Sequence, residues 1–170
     1  MTDQAADLAA IDAVITEMYA MISGPAGPRD WTRQANCFHP EARQIRTAID
    51  ADGKSELTIM GLADYAAYTA PFFATHDFYE IEIGRRVELF GTIAHAWSAY
   101  EARDTLDPAA APERRGINSI QLTKHPELGW RIIAMIWDNE RAGVAIGPFA
   151  PAPLPAQAGA RGRAARSRRS

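Results

Sequence analysis

Four strand-length segments, at about 78–90, 92–104, 115–124 and 130–139, dominate the second half of the chain, and two of them lack a plainly polar side. In "GTIAHAWSAYEARD" (91–104) one face carries Ile93, His95, Trp97, Ala99 and Glu101, and the other Ala94, Ala96, Ser98, Tyr100 and Ala102. In "GWRIIAMIW" Trp130, Ile132, Ala134 and Ile136 alternate with Ile133, Met135 and Trp137. An antiparallel strand that half faces water shows one polar side, so this pattern predicts a sheet covered on both faces. Helices can cover one. A second copy of the chain is the simplest cover for the other, because large bare apolar patches are rare on monomers. Tyr79, Ile81, Ile83, Ile93 and Trp97 would supply that interface.

The helices come first. Leu8, Ile11, Ile15, Met18 and Ile22 recur in steps of three and four, the stripe of a helix that Asp3 can cap and "SGPAGP" (23–28) ends. "DWTRQANCF" reads as a short second helix, with Asp30 as cap, Trp31, Ala35 and Phe38 on one face, and Pro40 as the stop. "ARQIRTAIDADGKSELTIM" reads as two strands around "DADGK". "GLADYAAYTAPFF" reads as a third helix that Pro71 should bend or end. Helices followed by a run of strands predict an α+β fold with a mostly antiparallel sheet.

With 170 residues, one domain is expected, over 1–145, followed by a Pro/Ala/Gly/Arg tail over 146–170 expected to lack structure. The tail ends in "RGRAARSRRS", so the net charge of −3 hides a body near −8. That is a poor surface for nucleic acid, which needs a basic patch on the folded body. No apolar run reaches membrane-spanning length. The N-terminus is acidic and amphipathic rather than a secretory leader, which makes a cytoplasmic location the default expectation. The single cysteine, Cys37, allows neither an intrachain disulfide nor a Cys-based zinc site, and the four histidines show no ligand spacing. Neither a phosphate-binding glycine loop nor a Gly-x-Ser-x-Gly motif occurs, so the expectation is no metal and no cofactor.

The order of elements, with "DWTRQANCFHPEA", "ATHDF", "GTIAHAWSAYEAR", "RGINSIQL" and "GWRIIAMIW", resembles the nuclear transport factor 2-like (NTF2-like) superfamily, in particular its SnoaL-like members, over roughly residues 5–142. The resemblance implies a cone: a strongly curved sheet whose concave face wraps a pocket closed by the N-terminal helices, and whose convex face commonly forms a homodimer. Ketosteroid isomerases of this superfamily carry a general-base aspartate where this chain has Arg46, and a guanidinium cannot take a proton from carbon. Scytalone dehydratase-like members carry a histidine where "THDF" places His76. Their second histidine has Arg103 and Asp104 in its place here.

The resemblance therefore points to His76 as acid or base, with Tyr100 and Arg46 stabilising negative charge. It puts Ala94, Ala96, Ser98 and Tyr100 in the pocket, together with Ile117, Ser119, Gln121, Met135 and Trp137. Tyr19, Trp31, Phe38, Tyr65 and Phe72 complete the expected ligand-binding set, although aromatic residues equally build plain core. His95 reads as a packed strand histidine on the other face. Glu80 and Glu82 share the parity of His76, which would carry them toward the pocket to orient His76 or pair with Arg46. Two functions stay open: a cofactor-independent enzyme that moves protons on a small apolar organic substrate (isomerase, dehydratase or cyclase), and a non-catalytic ligand-binding or structural dimer.

Overall fold

The computed structural model describes residues 3–147. Helix α1 spans Gln4–Ile22, with Asp3 Oδ1 accepting from the Ala5 and Ala6 amides. Its C-terminal carbonyls are met by Arg29, whose Nε donates to Ile22 O at 2.8 Å while its guanidinium lies over the Phe73 ring. Beside Ile11, Ile15 and Met18, the buried stripe contains Asp7, whose carboxylate accepts from Trp130 Nε1 at 2.9 Å and Lys124 Nζ at 2.6 Å. These bonds, Lys124 first, hold its pKa below the usual carboxylate value and pin α1 to the sheet.

A 3-10 turn, Trp31–Arg33, runs into α2, Gln34–Cys37. The chain is extended from Phe38 onward, so this segment stops before Pro40 and not at it. Pro40 sits within β1 (Phe38–Ile49), in the stretch between Phe38 and Arg43 where the register to the next strand slips and no regular ladder is required. β2 is Ser55–Met60 and α3 is Leu62–Thr75. Pro71 neither ends α3 nor stops it early. The carbonyl it leaves unpaired belongs to Ala67, and both residues are exposed, so water can satisfy it. Then come β3 (Tyr79–Phe90), β4 (Ile93–Arg103), β5 (Arg114–His125) and β6 (Gly129–Asn139). Gly91, at φ 58°, makes the tight β3–β4 connection that a side chain would strain.

The six strands form one mixed sheet in the order β2-β1-β6-β5-β4-β3. All neighbours are antiparallel except β1 and β6, which run parallel. This order corrects the expected cone. Closure would require β2 and β3 to approach one another, and they are instead the two free edges of an open sheet that does not curl strongly. The helices, not sheet curvature, cover its inner face.

Bulges in β6 and β3 move side chains from one face of the sheet to the other. In β6 the register slips between its pairings with Gln121 and Leu122, leaving Ile133 unpaired. Trp130 and Ile132 therefore join Met135 on the buried inner side, while Ile136 is 40% exposed on the outer one. In β3 the slip between Glu82 and Gly84 brings Arg85 onto the same face as Glu82, and the two pair as a nearly buried ion pair. The β6 bulge swaps its faces midway, so that strand shows no wet side over its full length, whereas β4 has no bulge and its outer face is half-buried at His95 and Trp97.

Ile146 is buried and its amide is bonded to Glu140, so the folded body reaches at least that far. The rest of the expected unstructured tail lies outside the described residues. No helix among the described residues is long and apolar enough to cross a membrane.

Candidate active site

A cavity of about 380 Å³ opens between α1, α3 and the inner face of the sheet, within the range of small-molecule sites. Its apolar walls include Met18, Phe38, Tyr65, Phe72, Met135 and Trp137. Tyr65 stands edge-on to both Trp31 and Trp137, at 5.8 and 6.2 Å between ring centres. Its hydroxyl has no hydrogen-bond partner among the described residues.

Into this wall projects one carboxylate, Glu80. It faces Ala102 on β4, which in turn faces Arg114 on β5, so a methyl is all that stands between the acid and the arginine along that row. Asn118 Nδ2 reaches Glu80 Oε1 only at 3.5 Å. Burial dominates: it pushes the Glu80 carboxyl up to about 7, against the smaller opposing pulls of Asn118 and Arg114. Burial, together with the Glu80 charge, also pushes the Tyr19, Tyr65 and Tyr100 phenols well above their ordinary range. They stay protonated donors at any physiological pH.

Beneath Glu80 runs a buried chain of hydrogen bonds. Asn118 Nδ2 donates to Tyr19 Oη at 3.0 Å, and Tyr19 and Ser98 hydroxyls are 2.6 Å apart. Ser98 donates to Glu82, which is held by Arg85. Because Ser98 gives its proton to Glu82, Tyr19 donates to Ser98 and accepts from Asn118. The direction is fixed along the chain, and it holds Asn118 at the cavity wall. Tyr100 reaches across β5 to donate to Asn139 Oδ1 at 2.9 Å. Gly116 makes that crossing possible, since a Cβ there would run into the Tyr100 ring and hydroxyl.

On the far side of the cavity stand Gln44 and Arg46 of β1. The Arg46 side chain has no ion-pair or hydrogen-bond partner among the described residues. Gln44 is 1% exposed, and its Nε2 is buried without a partner.

Of the residues singled out from sequence, Arg46, Tyr100, Phe38, Tyr65, Phe72, Met135 and Trp137 line the cavity. Tyr19 and Ser98 lie just beneath it in the hydrogen-bonded chain, and Trp31 backs Tyr65. His76 is not in the wall. It is exposed at the end of α3, stacked on Phe72 at 4.6 Å, with Nδ1 beside Thr75 Oγ1 and Phe72 O. Ser119 and Gln121 face the opposite side of the sheet, where Ser119 Oγ meets His95 Nε2 at 3.0 Å. Their neighbours Asn118 and Ile120 point inward and are buried. The polar run Ser119, Gln121, Thr123 was the available signal for an outer face. Gln44, Arg114, Asn118 and Asn139 were missed. Gln44 could have been found as the residue two before Arg46 on one strand face.

Cys37 is buried, which pushes its thiol up to about 12 and makes it an inert core residue. Among the described residues no group of three or more His, Cys, Asp or Glu side chains could hold a metal.

No sequence-family profile matches the chain, and no curated protein matches it in sequence. Solved structures do match. A Mycobacterium tuberculosis protein of unknown function superposes with TM-score 0.62 at 18% identity, covering 82% of this chain and 75% of the other. An NTF2-like superfamily protein from Salmonella enterica serovar Typhimurium gives 0.61 at 19%, covering 85% and 99%. A candidate ketosteroid isomerase from Shewanella frigidimarina gives 0.52 at 15%, covering 76% and 94%. The fold is thus that of the NTF2-like, ketosteroid isomerase-related superfamily, a fold that carries many functions.

Proposed function

We propose that the protein is a cofactor-independent acid/base enzyme that moves a proton on a small, largely apolar organic substrate, with Glu80 as the group that takes and returns it. The observation that carries this reading is the one carboxyl that, among the described residues, lines an aromatic-walled cavity, where burial pushes it up to about 7. A base poised near the working pH combines a useful ionised fraction with sufficient basicity. Glu80 would remove a proton from a carbon next to a carbonyl. Tyr65, with its free hydroxyl, would donate to the oxygen that gains charge. Glu80 would then return the proton to another atom of the same substrate. The role given to His76 on sequence grounds passes to Glu80, because His76 is exposed. The ketosteroid isomerase description of one structural neighbour is compatible with this chemistry, although Arg46 departs from that mechanism. Membership of the SnoaL-like subgroup, on the segments quoted above, belongs to the same proposal.

The test follows deuterium uptake from D2O into a panel of cyclic ketones, read by NMR. Uptake above background that falls at least about a hundredfold in Glu80→Gln and persists in His76→Ala supports the reading. Uptake unchanged in Glu80→Gln contradicts it and favours the non-catalytic ligand-binding alternative.

A homodimer through the outer face is also proposed. It draws support from Ile81, Ile93, Phe90 and Ile136, which are 39%, 59%, 81% and 40% exposed. Sedimentation velocity at micromolar concentration should give a dimer, and a strict monomer contradicts it.

A further inference from the structure

Resting on the reading of the cavity as a proton-transfer site, we propose that its substrate is an organic carboxylate, anchored by Arg46 and Gln44 on β1 while its reactive carbon meets Glu80 on β3. Both anchors line the same cavity as Glu80. They sit two apart on one face of β1, paired to Met135 and Trp137 of β6, which are also cavity walls. In the strand order β1-β6-β5-β4-β3, the anchors and the base stand on the same face with β6, β5 and β4 between them, leaving the ligand to span the gap.

Two independent observations point to an acceptor here. The Arg46 guanidinium faces the cavity with no carboxylate of its own among the described residues, whereas Arg33, Arg85, Arg103, Arg115 and Arg141 all have one. The Gln44 amide is buried beside it with Nε2 unsatisfied, and buried donors normally have a partner. A carboxylate supplies both needs: one oxygen pair for the guanidinium fork and a lone pair for the amide. A phosphate dianion fits less well, because the anchor offers a single unpaired cation and Glu80 shares the cavity. Arg114 is the weaker anchor. It lies over the Phe78 ring, stands 4.0 Å from Glu113 and acts on Glu80 itself.

The test compares two probes of nearly equal shape, naphthalene-2-acetate and its primary amide, by titration calorimetry on the full chain at low salt. The acid should bind wild type about tenfold or more tightly than the amide, as a charged hydrogen-bond pair implies. Arg46→Gln should abolish that preference while leaving amide affinity within a few fold. Arg46→Lys should keep part of it. Gln44→Leu should weaken both probes, since both carry a carbonyl oxygen. Equal affinity of acid and amide for wild type overturns the proposal. So does a preference that survives Arg46→Gln, or no binding of the acid at millimolar concentration. The outcome is separable from the catalytic reading. Deuterium uptake that depends on Glu80 without an acid preference leaves the enzyme and removes the substrate class. An acid preference lost in Arg46→Gln without uptake leaves a carboxylate-binding pocket and removes the enzyme.

Discussion

Tyr100 lies flat across Gly116 to give its hydroxyl hydrogen to Asn139 Oδ1 at 2.9 Å, bridging β4 to β6 over the strand between them. The bridge fixes one corner of the cavity, and it depends on position 116 having no side chain. A Cβ there would also stand 2.6 Å from the Asp138 carbonyl, which is backbone and cannot swing away. Gly116→Ala should therefore cost about 1–3 kcal/mol, the usual penalty of overpacking. In the same variant the Tyr100–Asn139 bond should be lost, read as faster exchange of the Tyr100 hydroxyl proton by NMR. An unchanged denaturation midpoint would show that β5 yields at this point.

Glu80 should set a pH dependence of stability. Its folded-state pKa is raised, from 4.5 to about 7, mainly by burial. Below about pH 4.5 the carboxyl is protonated in both states and costs nothing. As pH rises through the folded value the unfolded chain ionises first, so the folded state loses stability, on the order of 2–3 kcal/mol by pH 8. Glu80→Gln should match wild type near pH 4 and exceed it in melting temperature at pH 8. A difference independent of pH would mean that Glu80 is solvated.

Tyr19→Phe should break the buried chain in its middle. It leaves Ser98 without its donor and Asn118 Nδ2 with only the long contact to Glu80. The expected loss is about 1–3 kcal/mol in urea denaturation. Deuterium uptake should fall as well, because Asn118 is then free to leave the Glu80 carboxylate. A loss of stability with full uptake would make the chain purely structural.

The α1 stripe and the strand boundaries from 78 onward were legible because periodicity runs through them unbroken, while the facing of β4 came from the family resemblance. β4 has no bulge, so the alternation holds to its end, and Ser98 and Tyr100 point inward as that resemblance implies. Legibility failed where a local irregularity shifts the phase. The bulge in β6 made that strand look apolar on both sides, and the bulge in β3 carried Arg85 to the inner face. In β5 the polar run Ser119, Gln121, Thr123 marks the outer face, against the family resemblance, and Asn118 points inward. His76 is of the residue type best suited to acid/base chemistry near neutral pH. Its exposure depends on how far α3 continues past Pro71, which local propensity does not decide. Glu80 had the right parity, but its raised pKa comes from burial in the folded cavity, a tertiary effect that no spacing encodes. The open sheet was equally hidden, because closure depends on pairing between β2 and β3, which are far apart in the chain.

The most direct measurement is the titration of Glu80 itself. Side-chain carboxyl carbon shifts of 13C-labelled protein, assigned by the signal missing in Glu80→Gln, give its pKa in the intact fold. The expected midpoint is near 7, about the value that burial in this cavity imposes. A midpoint near the ordinary 4.5 would mean that Glu80 is fully ionised and hydrated at neutral pH, and the proton-transfer reading of the cavity would fall with it.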